Sequence, residues 1–99
     1  MPNRLLNDKL NAETARIAWS ELEVHFARGA AVYIAPSLDL IAAARLIADD
    51  DSTTVGKLMQ QGLISLVSEQ QATQFSRDRQ EMWALVIAPW VLVQPVQTA

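Results

Sequence analysis

His25 is the chain's only histidine and stands four residues after Glu21, the one-turn helical spacing at which a carboxylate can orient an imidazole as a general base. Tyr33 could add a phenolic hydroxyl to the same place, giving a small-ligand or enzymatic pocket between a first helix and a sheet. Acyl transfer would also need a nucleophile. The chain has no cysteine, and the sequence alone does not place Ser20 or Thr14 opposite His25. The plainer reading, a partly exposed histidine on the polar edge of a helix, is favoured, and no catalytic residue is assigned.

Asp49-Asp50-Asp51 offers the oxygen ligands that Ca²⁺ and Mg²⁺ prefer. A calcium loop begun at Asp49 would need glycine where Thr54 stands and a closing glutamate where Gln60 stands. The triplet is therefore read as a solvated acidic turn whose charges favour the start of the next helix. Gly29, Gly56 and Gly62 are too scattered to cradle a phosphate, so no metal or cofactor is expected.

Nucleic-acid recognition is the third chemistry to weigh. The stretch AARLIADDDSTTVGKLMQQGLI, residues 43–64, has a helix-turn-helix layout superficially similar to excisionase-type modules. Its second helix carries only Lys57 and follows three aspartates, whereas duplex binding rests on several phosphate contacts. A DNA-binding regulator is kept as an alternative, but a packing hairpin is favoured.

The strongest signal is apolar. Residues 83–93, WALVIAPWVLV, contain no charge, and read with period two they are apolar on both faces. Leu85, Ile87, Val91 and Val93 fall on one face, with Val86, Trp90 and Leu92 on the other. One face can be covered by another molecule, which makes Val86, Trp90 and Leu92 the candidate interface.

The elements that would position these residues follow from caps and periodicity. Leu5, Leu6 and Leu10 suggest a short helical turn or a flexible lead over residues 1–10. Asn11 caps a helix over residues 12–28, with Ala15, Ala18, Trp19, Leu22 and Phe26 inward and Gly29 as its stop. A strand over residues 30–35 ends at Pro36. Ser37 or Asp39 opens a helix with Leu40, Ala43, Ala44 and Ile47 inward, and Ser52 or Thr53 opens another with Val55, Leu58 and Met59 inward. Residues 63–67 read as an extended connector. Ser68 and Gln71 form a capping-box pattern before a helix over residues 69–80 that turns Ala72 and Phe75 inward. The final strand closes the chain, with Pro89 at an edge or a bulge.

The expected fold class is α+β, a single small domain over residues 1–99 in the order helix-strand-helix-helix-helix-strand. The two strands pair in a small sheet covered by helices. Fifty-one per cent hydrophobic and 19% charged residues suit a packed globule rather than a disordered chain. The net charge of -3 is concentrated in the middle of the chain, which disfavours nucleic acid. The absence of cysteine, and of an N-terminal apolar run of signal-peptide length, points to a cytoplasmic protein with no membrane span.

The segments ETARIAWSELEVHFARG at 13–29, PSLDLIAAARLIADD at 36–50, QGLI at 61–64 and WALVIAPWVLVQ at 83–94 resemble a family of short bacterial proteins catalogued as a domain of unknown function. The resemblance covers nearly the whole chain and implies a small single-domain protein with no assigned activity. The leading expectation is a non-enzymatic module that binds another protein or associates with itself as a homodimer.

Overall fold

The computed structural model describes residues 13–97. The turn expected from Leu5, Leu6 and Leu10, and the Asn11 cap, lie outside the described residues. Within them the order is β1 (Ala15–Ala18), α1 (Trp19–Ala27), β2 (Ala31–Ile34), α2 (Leu40–Ala48), α3 (Ser52–Gln60), β3 (Ile64–Leu66), α4 (Glu69–Arg77), β4 (Glu81–Ile87) and β5 (Trp90–Pro95). The strands form one sheet in the order β1-β4-β5-β2-β3. Strands β2 and β5 run parallel, and every other neighbouring pair is antiparallel. The α+β class holds, but a five-stranded sheet replaces the expected two-stranded one.

Three corrections account for the added strands. The helix expected from residue 12 starts only at Trp19, because Ala15–Ala18 pairs with β4 instead. Ala18 is extended, and the Trp19 amide donates to the Gln80 carbonyl at 2.9 Å, continuing the β1–β4 ladder to the start of the helix. Small and apolar residues at 15, 17 and 18 suit either period, and the unpaired edge of β4 decides between them. Arg16, on the opposite face from Ile17, reaches Glu81 at 2.8 Å and lies over the Trp83 ring at 5.7 Å.

Residues 63–67 are likewise more than a connector. Ile64–Leu66 pairs with β2 and forms the outer edge of the sheet.

The third correction concerns the final apolar run, which is a hairpin and not one strand. It folds across Ala88-Pro89, whose peptide bond is cis, so that Leu85 pairs with Leu92, Val86 with Val91 and Ile87 with Trp90. Paired residues share a face in an antiparallel ladder, so the chain reversal changes the parity of everything after Pro89. Trp90 and Leu92 accordingly lie on one face with Leu85, and Val86 lies on the other with Val91.

Both faces are covered. On one, Trp19 and Leu22 of α1 and Ala72 and Phe75 of α4 pack over Met82, Ala84, Val91 and Val93. The Trp19 ring meets Phe75 edge-on at 5.2 Å, a favoured aromatic arrangement. On the other face, Leu40, Ala43 and Ala44 of α2 pack over Val32, Ile34, Leu85 and Leu92, with Leu58 of α3 at the margin.

The caps explain where the helices begin. Asp39 accepts the amides of Ile41 and Ala42, and Ser68 with Gln71 completes the expected capping box. Helix α3 is capped by Asp51 instead of Ser52 or Thr53. Gly29 and Gly62 take φ of +74° and +75° just beyond α1 and α3, the left-handed geometry that ends a helix.

Buried Gln94 fixes the approach to α2. Its Nε2 donates to the carbonyls of Ala35 and Leu38, at 2.9 and 2.8 Å, and so ties the β2–α2 loop to β5.

Candidate functional site

The pocket expected around Glu21, His25 and Tyr33 is not assembled as a catalytic group. Glu21 is exposed on α1 and makes no hydrogen bond to His25. The His25 imidazole instead meets Arg28, with Nδ1 2.6 Å from the guanidinium Nη2. A guanidinium only donates, so Nδ1 is the acceptor in this contact. Tyr33 packs against the α1–α4 core from β2. Neither the groove between α2, α3 and the sheet nor the cleft between α1 and α4 is lined by any of these three residues.

The expected interface trio also separates. Leu92 is fully enclosed at 0% exposure, a core residue rather than a surface one. Val86 and Trp90 are exposed at 60% and 37%, but on opposite faces of the sheet. The error comes from carrying one strand's alternation through the Ala88-Pro89 reversal.

Trp90 nevertheless lines a real site. A groove of about 420 Å³ opens beneath the α2–α3 turn, over the end of the sheet at which β2 and β5 begin and β3 finishes. Its floor and walls are apolar: Val32, Ile47, Val55, Met59, Ile64, Leu66 and Trp90. Met59 and Leu66 are half exposed there, at 51% and 53%. Sequence reasoning missed both, since it turned Met59 inward and left Leu66 in a connector. The signal for Leu66 was its two-residue spacing from buried Ile64, which places both on one strand face.

Asp50 and Asp51 stand at the rim of the groove. Asp51 is committed to α3, accepting the Thr54 amide at 3.1 Å and the Thr54 hydroxyl at 2.9 Å. The side-chain carboxylates of Asp50 and neighbouring Asp49 make no hydrogen bond or ion pair among the described residues. No Lys or Arg lines the groove, so its rim is electronegative. The three aspartates do not assemble a chelate: among the described residues no group of three or more His, Asp or Glu is placed to hold a metal.

One wall is also an open sheet edge. The Val67 amide donates to the Ala31 carbonyl and the Ala35 amide to the Leu63 carbonyl. The antiparallel alternation between those bonds turns the backbone groups of Ile64 and Leu66 away from β2, toward the free side of β3. An apolar floor, a carboxylate rim and unpaired strand groups can receive a polypeptide.

The helix-turn-helix layout is present as α2, the aspartate turn and α3, yet Lys57 is the only cation on α3. Among the described residues no helix is long and apolar enough to cross a membrane.

No curated protein matches the chain significantly. The NMR solution structure of PA1075 from Pseudomonas aeruginosa is similar at 41% identity and a TM-score of 0.82, over 95% of this chain and 87% of that one. The model of the family described as "Protein of unknown function (DUF2288)" matches residues 5–95, and with nearly the whole chain inside that match, the protein belongs to the DUF2288 family.

Proposed function

We propose that this protein works by binding a polypeptide segment in the groove beneath the α2–α3 turn, and that it is not an enzyme. The observation that carries this reading is the placement of half-exposed Met59 and Leu66 and part-exposed Trp90 around one apolar groove. Large apolar side chains of this kind are costly to leave in water, and tryptophan and methionine are enriched at interfaces. The rim carboxylates select for lysine or arginine beside the apolar anchor. The open β3 edge adds a row of backbone partners for an extended segment. Lacking cysteine, the chain suits a reducing compartment, and the activity is assigned to the cytoplasm.

Selection from a random peptide display library on the immobilised protein tests the proposal. Enriched peptides should combine an apolar anchor with a nearby basic residue, and they should lose binding when Leu66→Asp replaces the wild type. Recovery of no peptide, or of peptides that bind a folded Leu66→Asp protein equally well, would remove the reading.

Homodimerisation is a second reading, favoured by the free backbone groups of β3, along which two copies can pair. It requires a mass twice that of the chain, stable across a dilution series in light scattering; a monomer throughout contradicts it.

A further inference from the structure

Gly56 is the middle residue of α3, and among the described residues nothing requires a glycine there. Gly29 and Gly62 take positive φ beyond helix ends, whereas Gly56 has the helical backbone that any residue adopts. Outside its own stretch of helix backbone and its two chain neighbours, a Cβ built at Gly56 would meet no atom within 4 Å, so crowding does not exclude a side chain either. Glycine is nevertheless a poor helix former, because the unfolded chain has more freedom to lose and the backbone is left bare. The position weakens α3 without relieving any contact inside the molecule.

Its place in the groove gives the missing side chain a use. Spacings of three and four residues put Ser52, Val55, Gly56 and Met59 on one side of α3, and all four line the groove. Gly56 therefore opens the helix wall between Val55 and Met59 and leaves the α3 backbone within reach of an occupant. At the rim stands Asp50, whose carboxylate makes no hydrogen bond or ion pair among the described residues. A groove with no Lys or Arg in its lining and a free carboxylate at its rim is complementary in charge to a cationic segment.

We infer that Gly56 sets the size of the anchor the groove accepts: the partner is a polypeptide segment that seats one bulky apolar side chain against the α3 backbone at Gly56, with a lysine or arginine beside it at Asp50. The inference rests on the groove as a peptide site, and it adds which residue of the wall selects the anchor.

Gly56→Ala separates this role from a structural one, because stability and binding should move in opposite directions. Helix propensity alone should raise Tm by about 4–8 °C. A peptide enriched on the wild type from the display library should bind the variant about 10-fold or more weakly, because the added methyl overpacks the anchor. Shortening that anchor, from phenylalanine to leucine or from leucine to valine, should restore affinity for Gly56→Ala while weakening binding to the wild type. Thr53→Ala, on the exposed side of α3 outside the groove, should leave the affinity for the selected peptide unchanged. Equal binding of the selected peptide by Gly56→Ala and wild type would overturn the inference, as would a loss that shortening the anchor does not relieve. A lowered Tm would also overturn it, since the fold itself would then need the glycine. If Gly56→Ala binds normally while Leu66→Asp does not, this inference fails and the proposed function stands; if no peptide is recovered, both fall.

Discussion

Gln94→Leu removes the side chain that holds the β2–α2 loop, and its cost can be worked from the bonds it makes. Two hydrogen bonds are lost, each contributing about 1 kcal/mol net. The Ala35 carbonyl keeps the Leu38 amide as a partner at 2.9 Å, whereas the Leu38 carbonyl has no other hydrogen-bond donor among the described residues. Leaving that one acceptor unpaired adds about 1 kcal/mol or more. The total is about 3 kcal/mol, which in a domain of this size lowers Tm by about 12–24 °C. Gln94→Glu should be worse near neutral pH, because a buried carboxylate would face two carbonyl oxygens and lose the amide donor. Its carboxyl would titrate above the usual range of about 4.3 in the folded state. That variant should therefore be most stable below about pH 4, where the group is protonated in both states, and should weaken as the pH rises toward the folded value. Urea unfolding followed by Trp fluorescence, for each variant at acid and neutral pH, measures all of this. A Gln94→Leu loss below about 1 kcal/mol would refute the reasoning, as would a Gln94→Glu protein that gains stability with rising pH.

Asp51→Ala should cost about 1–2 kcal/mol, because it removes both the α3 cap and the acceptor for the Thr54 hydroxyl; a thermal melt checks it, and an unchanged Tm would contradict the cap. Trp19→Phe should be far milder than Trp19→Ala, which should cost about 3–5 kcal/mol. The buried indole Nε1 has no partner among the described residues, so deleting it relieves a penalty that offsets part of the lost packing. Denaturant midpoints of the two variants decide, and equal losses would contradict that offset.

Where a local rule stood alone in the sequence, it was legible. The Ser68–Gln71 capping box, the apolar face of Leu40, Ala43 and Ala44, and the Gly29 and Gly62 stops all lie within a few residues of the structure they specify. The failures needed partners distant in sequence. Ala15–Ala18 fits a helical stripe as well as a strand, and only β4, more than sixty residues later, selects the strand. Pro89 reads from the sequence as an edge or bulge position in one strand, whereas it lies in the turn between β4 and β5, a place that depends on Leu85 meeting Leu92. The groove was illegible for the same reason. Its walls come from α2, α3, β2, β3 and β5, and of its lining only Trp90 reads from the sequence as an interface residue.

The proposed function turns on which face of the sheet a partner touches. The most direct measurement is a calorimetric titration of one selected peptide into the wild type, Leu66→Asp and Val24→Asp, the last altering an equally exposed apolar residue on α1. The account predicts that Leu66→Asp weakens binding by about 30-fold or more, the effect of losing an interface anchor worth about 2 kcal/mol, while Val24→Asp leaves it unchanged. Unchanged binding by Leu66→Asp, or an equal loss in Val24→Asp, would contradict the groove as the working surface of this protein.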